Sequence, residues 1–459
     1  MWKKRLALPL ILLLTACAQT AEFQRPALPV PAAWPTGMDA GGTQDISQTQ
    51  WQNYFADPRL RALIEAAIQN NRDMRIAVGR VEEARAQYRI ARADKFPSIN
   101  LLGSGTIGQT PADLSGTGTV INGERYDLAL SNVSYEVDFW GRIASMTESA
   151  RNSFLASNEA RRTFKLSLVA DVASAYFNLV QLDGLLELAR DSLRSRELSL
   201  AVIGKGREIG ATYDVEYEVA NGALEAQRSE LRSVEQQRNV ASSRLNYLVG
   251  ETPADLPLGL DLAHQGLEAT LAPGLPGDVL LQRPDVVAAE LRLRAAHANI
   301  DAARAAFLPK VALTAGLGVA SVGLASLFNG VAWNFQPSIG LPLFDGGKLS
   351  AAVDVAEARK VIAVADYEKT IQQAFREVAD LLASRESLAL QQHSAELNEK
   401  SQLLRLKIAR GRYQAGMTNI LELLDAERNL VSARQNTVQL RRGQLDTAAQ
   451  LYKALGGGA

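Results

Sequence analysis

Ala91-Arg92-Ala93-Asp94-Lys95-Phe96-Pro97 has a second version in Ala303-Arg304-Ala305-Ala306-Phe307-Leu308-Pro309, with the two prolines 212 residues apart. Each closes an Ala/Arg/Glu-rich helical stretch and leads into an alternating one. Gly141 and Gly346, Gly206 and Gly411, and Tyr247 and Tyr452 continue the correspondence at a spacing of 205. The second copy is therefore expected to carry a connection seven residues shorter after its proline. A period this long points to duplication of one structural unit. The first repeat is placed at 58–250 and the second at 279–459. Between them, 251–278 holds Pro253, Pro257, Gly259, Pro273, Gly274, Pro276 and Gly277 and reads as a linker.

Beyond each proline the period changes from 3.6 to 2. Strands are expected at about 98–108 and 126–139, and again at about 310–320 and 333–344. Val133, Tyr135, Val137 and Phe139 alternate with Asn132, Ser134, Glu136 and Asp138. Val311, Leu313, Ala315, Leu317 and Val319 share one face, and Trp333, Phe335, Ile339, Leu341 and Leu343 another. Such strands suit a transmembrane β-barrel, with lipid on one side and water on the other, or a half-buried soluble sheet. Four strands cannot close a useful bore, so the barrel requires further copies of the chain.

Two uninterrupted helical patterns run from Ala144 to Lys205 and from Leu349 to Arg410, each roughly 90 Å long at 1.5 Å per residue. Leu166, Val169, Ala173, Tyr176 and Val180 form one apolar seam. Leu168, Val172, Ala175, Leu179, Leu182 and Leu186 form a second beside it. A helix with two adjacent seams packs against two neighbours at once, and a curved row of such helices makes a cylinder. Shorter helices at about 72–95 and 214–248, and at 285–306 and 420–455, match the long ones when laid end to end.

The N-terminus carries a basic Met1–Arg5, an apolar Leu6–Leu14 too short to span a bilayer, and Leu14-Thr15-Ala16-Cys17. This resembles a lipoprotein signal peptide, residues 1–16, with lipid added to Cys17, the only cysteine of the 459 residues. Several acyl chains give stable anchoring where one is marginal. Ala18 rather than Asp at the next position favours the outer membrane by resemblance to the Gram-negative sorting rule. Residues 17–57, with Pro26, Pro29, Pro31 and Pro35, are expected to form a lipidated tether.

Composition removes other classes. Lys+Arg 49 against Asp+Glu 50 leaves a net charge of −1 and no general attraction for nucleic acid. One Cys and three scattered His argue against a zinc cluster. Gly103-Ser104-Gly105-Thr106-Ile107-Gly108 matches a dinucleotide fingerprint, but Pro111 and a Ser/Gly/Thr loop follow where the helix should start. Gly346-Gly347-Lys348-Leu349 lacks the Ser/Thr that a P-loop uses for magnesium. No catalytic residues, metal ligands or cofactor are assigned.

Phe139-Trp140-Gly141-Arg142, Pro342-Leu343-Phe344-Asp345-Gly346-Gly347, Arg410-Gly411-Arg412-Tyr413-Gln414-Ala415-Gly416 and Leu451-Tyr452-Lys453-Ala454-Leu455-Gly456-Gly457-Gly458 join the lipobox and the repeated Ala-Arg-Ala…Pro. Together they resemble the TolC-type outer-membrane efflux family, in its lipoprotein (OprM/NodT-like) branch, over nearly the whole chain. The resemblance implies a mainly α fold with a β-barrel part: a homotrimeric, 12-stranded outer-membrane barrel continued by a long α-helical periplasmic barrel. It implies a passive, non-enzymatic exit duct for drugs or other small molecules. Its partners would be a periplasmic adaptor and an inner-membrane pump of the resistance-nodulation-division type. A type I protein-secretion duct keeps the fold and changes the cargo. A coiled-coil lipoprotein without a pore would not need the strands.

The resemblance also marks candidate sites. Ile209-Gly210-Ala211-Thr212 and Ala415-Gly416-Met417-Thr418, the second with one extra residue, would be adaptor-docking tips, although glycines also simply close helical hairpins. Leu421 and Asp425, one helical turn apart, would form the periplasmic gate: a leucine ring that closes by dewetting and a carboxylate ring that selects cations. The equivalent positions in the first repeat are Val215 and Val219. The alternative for Asp425 is a solvated carboxylate paired with Arg428 at i+3. Arg207 and Arg412 would tie the tips shut, with no carboxylate partner assignable from sequence.

Overall fold

The computed structural model describes residues 23–35, 44–45, 49–251, 253–267, 271–272 and 276–458. The signal segment and Cys17 lie outside them. The elements run α1 (Trp51–Tyr54), α2 (Pro58–Asn70), α3 (Arg72–Ala93), β2 (Asn100–Thr110), β3 (Ile121–Val137), α4 (Arg142–Glu208) and α5 (Asp214–Val249). They continue with α6 (Pro276–Gln282), α7 (Pro284–Ala305), β5 (Lys310–Ser321), β6 (Val331–Gly340), α8 (Lys348–Gln414) and α9 (Ile420–Ala454). The two-residue strands β1 (Gln44–Asp45) and β4 (Leu271–Ala272) pair in parallel. No described helix is long and apolar enough to cross a membrane.

The chain packs as two compact units. The first takes the described residues up to 27 together with 81–157 and 288–367; the second takes the described parts of 28–80, 158–287 and 368–459. The first unit contains an antiparallel sheet in the order β2-β3-β5-β6. On one face stand Leu101, Leu130, Leu317 and Trp333, neighbours in register across the four strands. On the other face Gly318 lies between Ala129 and Ala332, and Thr314 opposite Gln336. Every residue of β2 and β6 is exposed, and Pro337 sits in β6, where an edge strand tolerates its missing N–H.

The strand expected at about 126–139 runs from Ile121 to Val137: its first residues, Ile121 to Arg125, pair with Thr110 to Thr106 of β2, and it crosses a bulge further on. Before the bulge the even residues Tyr126, Leu128 and Leu130 pair with Ser321, Val319 and Leu317. After it the odd residues Tyr135 and Val137 pair with Leu313 and Val311. The register shifts between Asn132 and Tyr135, where Ser134 has φ 55. One extra residue thus restores the apolar side chains to one face. The motif residues around Trp140 fix the exit from this sheet. Its indole N–H donates to Pro309 O at 2.8 Å, and Arg142 grips Glu136 through two 2.8 Å bonds. Asp138 caps α4 by accepting from Ile143 N and Ala144 N, and Asp345 caps α8 by accepting from Leu349 N.

In the second unit the helices lie in the order α5-α4-α9-α8. Arg238 pairs with Asp183 and Ser192 with Gln227 between α5 and α4. Gln450 reaches Ser174 between α9 and α4, and Arg434 pairs with Glu399 between α9 and α8. Both seams of α4 are buried, with Val169, Ala173 and Tyr176 on one and Leu168, Val172 and Leu182 on the other. Burying two seams is what keeps a helix this long ordered, since propensity alone contributes little.

Two regions read as connections are more firmly seated than expected. The tether at 17–57 contains α1, and Trp34, Trp51 and Phe55 are buried, Trp34 stacked on Phe375 at 5.0 Å. Large aromatics supply enough apolar area to fix a proline-rich strand of chain. The linker at 251–278 has a 3-10 turn at Leu262–His264, and α6 begins inside it at Pro276. Asp57 holds the two together. Its carboxylate caps α2 through Arg59 N and Leu60 N, and accepts from Tyr176 Oη (2.7 Å), Leu260 N (2.9 Å) and Gln265 Nε2 (3.0 Å). Burial, and the bond to Asp57, push the Tyr176 phenol well up, so it remains a donor.

Candidate functional site

The two long helices end in the same hydrogen-bond pattern. Gly210 N donates to Arg207 O and Ala211 N to Gly206 O; Gly416 N donates to Tyr413 O and Met417 N to Arg412 O. With φ 74 at Gly210 and 69 at Gly416, both are Schellman closures, which need a residue free to adopt the left-handed region. The turns are therefore equal in length, and the extra residue expected in the second is absent. Both long helices have 67 residues, and the left-handed glycines are 206 apart. Gly206 and Gly411, which set the spacing of 205, are ordinary helical positions one place out of register. Gly206 has its own reason: a Cβ there would collide with the Thr212 side chain.

Ile209, Tyr213 and Met417 stand exposed at these turns. Beneath them Ile203, Ala220, Ile420, Leu423 and Leu424 form an apolar cluster, with Tyr217 and Tyr413 packed against it. The cluster joins the α4-α5 and α8-α9 hairpins. Each hairpin restart is capped: Tyr213 N donates to Glu216, and Asn419 accepts from Glu422 N.

Both arginines singled out as ties have partners. Arg207 Nε lies 2.6 Å from Asp214 and its guanidinium 4.8 Å from the Tyr217 ring centre. Arg412 pairs with Glu422 at 3.0 Å, and the Thr418 hydroxyl donates to the same carboxylate. Asp214 and Glu422 each sit in the first turn of a helix, where the backbone dipole favours an acid. Each tie therefore closes a helix onto the next helix of its own hairpin.

Leu421 is about half exposed, and Asp425 follows one turn on. The Asp425 carboxylate accepts from Arg405 on α8 at 2.7 Å, from Arg428 at 2.6 Å and from Asn429 Nδ2 at 3.0 Å. The i+3 pair with Arg428 thus coexists with a contact across the hairpin, and the carboxylate is not free. Glu427, buried, accepts from Ser195 Oγ at 3.3 Å and Arg410 at 3.4 Å, linking α9 to α4 and α8.

Sequence reasoning missed Arg405, Arg410 and Glu427. A signal existed for Arg405: it and Asp425 lie ten residues either side of Ala415, so folding the chain about the turn superimposes them. Among the described residues, no group of His, Cys, Asp and Glu is arranged to hold a metal.

The family model described as outer membrane efflux protein matches residues 63–251 and 275–457. The probable efflux pump outer membrane protein TtgC of Pseudomonas putida is 40% identical, the match covering 97% of this chain and 93% of that protein. The cation efflux system protein CusC of Escherichia coli is 38% identical, covering 97% of each. The solved open state of the Neisseria gonorrhoeae MtrE outer membrane channel superposes with a TM-score of 0.88 at 35% identity, covering 96% of this chain and 98% of that one. Two matched segments, one on each side of the 252–274 connection, and relatives matched over nearly their whole length show that the chain belongs to the outer membrane efflux protein family.

Proposed function

We propose that this outer-membrane efflux protein works as a homotrimeric duct in a three-part pump. The observation that carries the reading is the open sheet. β2 and β6 are both edge strands, exposed on both faces. In a bilayer every unpaired backbone N–H and C=O costs several kcal/mol, so only a closed barrel is tolerated. Pairing β2 of one copy with β6 of the next removes both edges, and three copies give 12 strands. The face bearing Leu101, Leu130 and Trp333 turns to lipid and the Gly/Ala/Thr face to water.

The helical hairpins continue the barrel as a periplasmic tunnel. Lipid on Cys17 adds an anchor. The turns at 209–212 and 415–418 meet a periplasmic adaptor, which links the duct to an inner-membrane pump of the resistance-nodulation-division type. Leu421 and Asp425 form the gate, and the Arg207–Asp214 and Arg412–Glu422 pairs hold the tips until docking. The relatives named for efflux of toluene, antibiotics and cations support a small-molecule cargo. The duct moves cargo without chemistry.

The test is mass and conductance on one preparation. Purified protein in detergent should be a trimer by mass and form channels in a planar bilayer. A stable folded monomer, or a verified trimer that never conducts even with its gate residues replaced by Ala, would refute the duct.

A further inference from the structure

A groove of about 680 Å³ lies across α4 in the second unit, walled by α5 on one side and α9 on the other. Asn178 and Gln181 form its floor, Gln237 and Arg244 one wall, and Gln439 and Arg442 the other. Leu182, Leu185 and Val240 add an apolar strip. No carboxylate lines it. Asp171 is near enough to act on Arg244, but it lies outside the lining, and burial pushes its carboxyl up.

The groove faces away from the elements that flank the helix layer. Tyr176 of α4 turns to Asp57, and Arg441 of α9 donates to Leu262 O and Ala263 O. At 100° per residue, Asn178, Gln181 and Leu185 lie about 140–200° around α4 from Tyr176, and Gln439 about 160° around α9 from Arg441. Both helices thus present the groove on the side opposite the flanking segments. In a closed tunnel with those segments outside, that side is the lumen; this step rests on the duct reading.

We propose that this groove is a binding station for organic anions with an apolar body on their way through the duct. Two guanidiniums on opposite walls, with the amides of Asn178, Gln181, Gln237 and Gln439 and no acid, select a carboxylate or sulfonate. The leucine and valine strip accepts an aromatic or aliphatic body, and the volume suits a molecule of drug size.

The matched probes are 1-naphthylacetate and 2-(1-naphthyl)ethylammonium, which share a ring system and differ in charge. In a planar bilayer the anion should interrupt the current at lower concentration than the cation. The Arg244→Gln, Arg442→Gln double variant should raise the anion's half-blocking concentration roughly tenfold, the scale of a lost charge-assisted hydrogen bond. Its trimer mass should be unchanged, because neither arginine is buried, and block is read as a fraction of each protein's own unblocked current. Titration calorimetry of 1-naphthylacetate on protein in lipid nanodiscs gives a second measure that needs no current. Binding heat present in the unmodified protein and lost in the variant supports the station even if no channel is recorded. Equal block or equal heat in the variant, or equal potency of the two probes, overturns it.

Discussion

Two carboxylates of the same charge have opposite surroundings, and the difference decides what each can do. Asp57 is 1% exposed and accepts from five donors. Replacing it with Ala leaves Tyr176, Gln265 and three backbone groups without that acceptor. The cost should be about 3–5 kcal/mol, the range for breaking a buried charged cluster. A fall in the denaturant midpoint of the trimer, with Asp57→Asn intermediate, is the expected result. Asp425, by contrast, is partly open to water, and its pairs with Arg405 and Arg428 are worth a few tenths of a kcal/mol each. Its removal should therefore spare folding and alter transport. Leu421→Ala with Asp425→Ala should raise single-channel conductance and, with two arginines left unpaired, weaken cation selectivity. Unchanged conductance and reversal potential would place the constriction elsewhere. That Leu421 and Asp425 share a helix face was legible from their i, i+4 spacing, while their role as a gate came from the resemblance alone and remains a proposal. The sequence could not show Arg405 or the importance of Asp57, because those depend on contacts between distant segments.

At the scale of elements, the pattern of periods was enough to find the long helices and the four strands. What it could not find was any feature produced by a single residue out of pattern. The Ser134 bulge changes which parity of β3 is apolar, so alternation beyond 132 and alternation before it look like two unrelated strands. The helix closures likewise depend on φ at Gly210 and Gly416, whereas the spacing of 205 pairs Gly206 with Gly411, which lie inside the helices. The bulge yields a paired prediction. Deleting Ser134 removes the extra residue while leaving Leu130 and Tyr135 on one face, so assembly into the membrane should survive. Gly318 has no such tolerance: a Cβ there would run into Leu128 O and Ala129 on the neighbouring strand. Gly318→Val should split β3 from β5, and heat-resistant trimer on a gel should be lost for this variant alone.

For the whole molecule, the duplication explains a pair of matching joints with different chemistry. Asn71, just before α3, donates to Leu248 O near the end of α5; Arg283, just before α7, donates to Ala454 O at the end of α9. The second joint is ionic, with Arg283 bound to Asp285 and Glu377, and Lys453 on Glu377 as well. Burial alone would raise the Glu377 carboxyl, but Arg283 and then Lys453 outweigh it and hold it below its ordinary value of 4.5. A depressed carboxyl stabilises the fold fully above that value and loses its contribution as the pH falls through the lower folded value. Melting temperature should therefore drop below about pH 4.5, and Glu377→Gln should flatten that limb while lowering stability at neutral pH.

Anchoring by a barrel is a property that only the assembled molecule has. In the proposed duct, a lipid on Cys17 and a closed barrel would be independent attachments, and the barrel much the stronger, since extracting it would expose an apolar band on every strand. Cys17→Ser, with the export signal kept, should abolish incorporation of labelled palmitate. The protein that reaches the outer membrane should still resist extraction by carbonate and remain a trimer. The outcome that would sink the barrel is equally definite: a mature Cys17→Ser protein that is folded, trimeric and freely soluble in the periplasm. In that case the exposed faces of β2 and β6 would have to be covered by protein rather than lipid, and the sheet would be an interface instead of a pore.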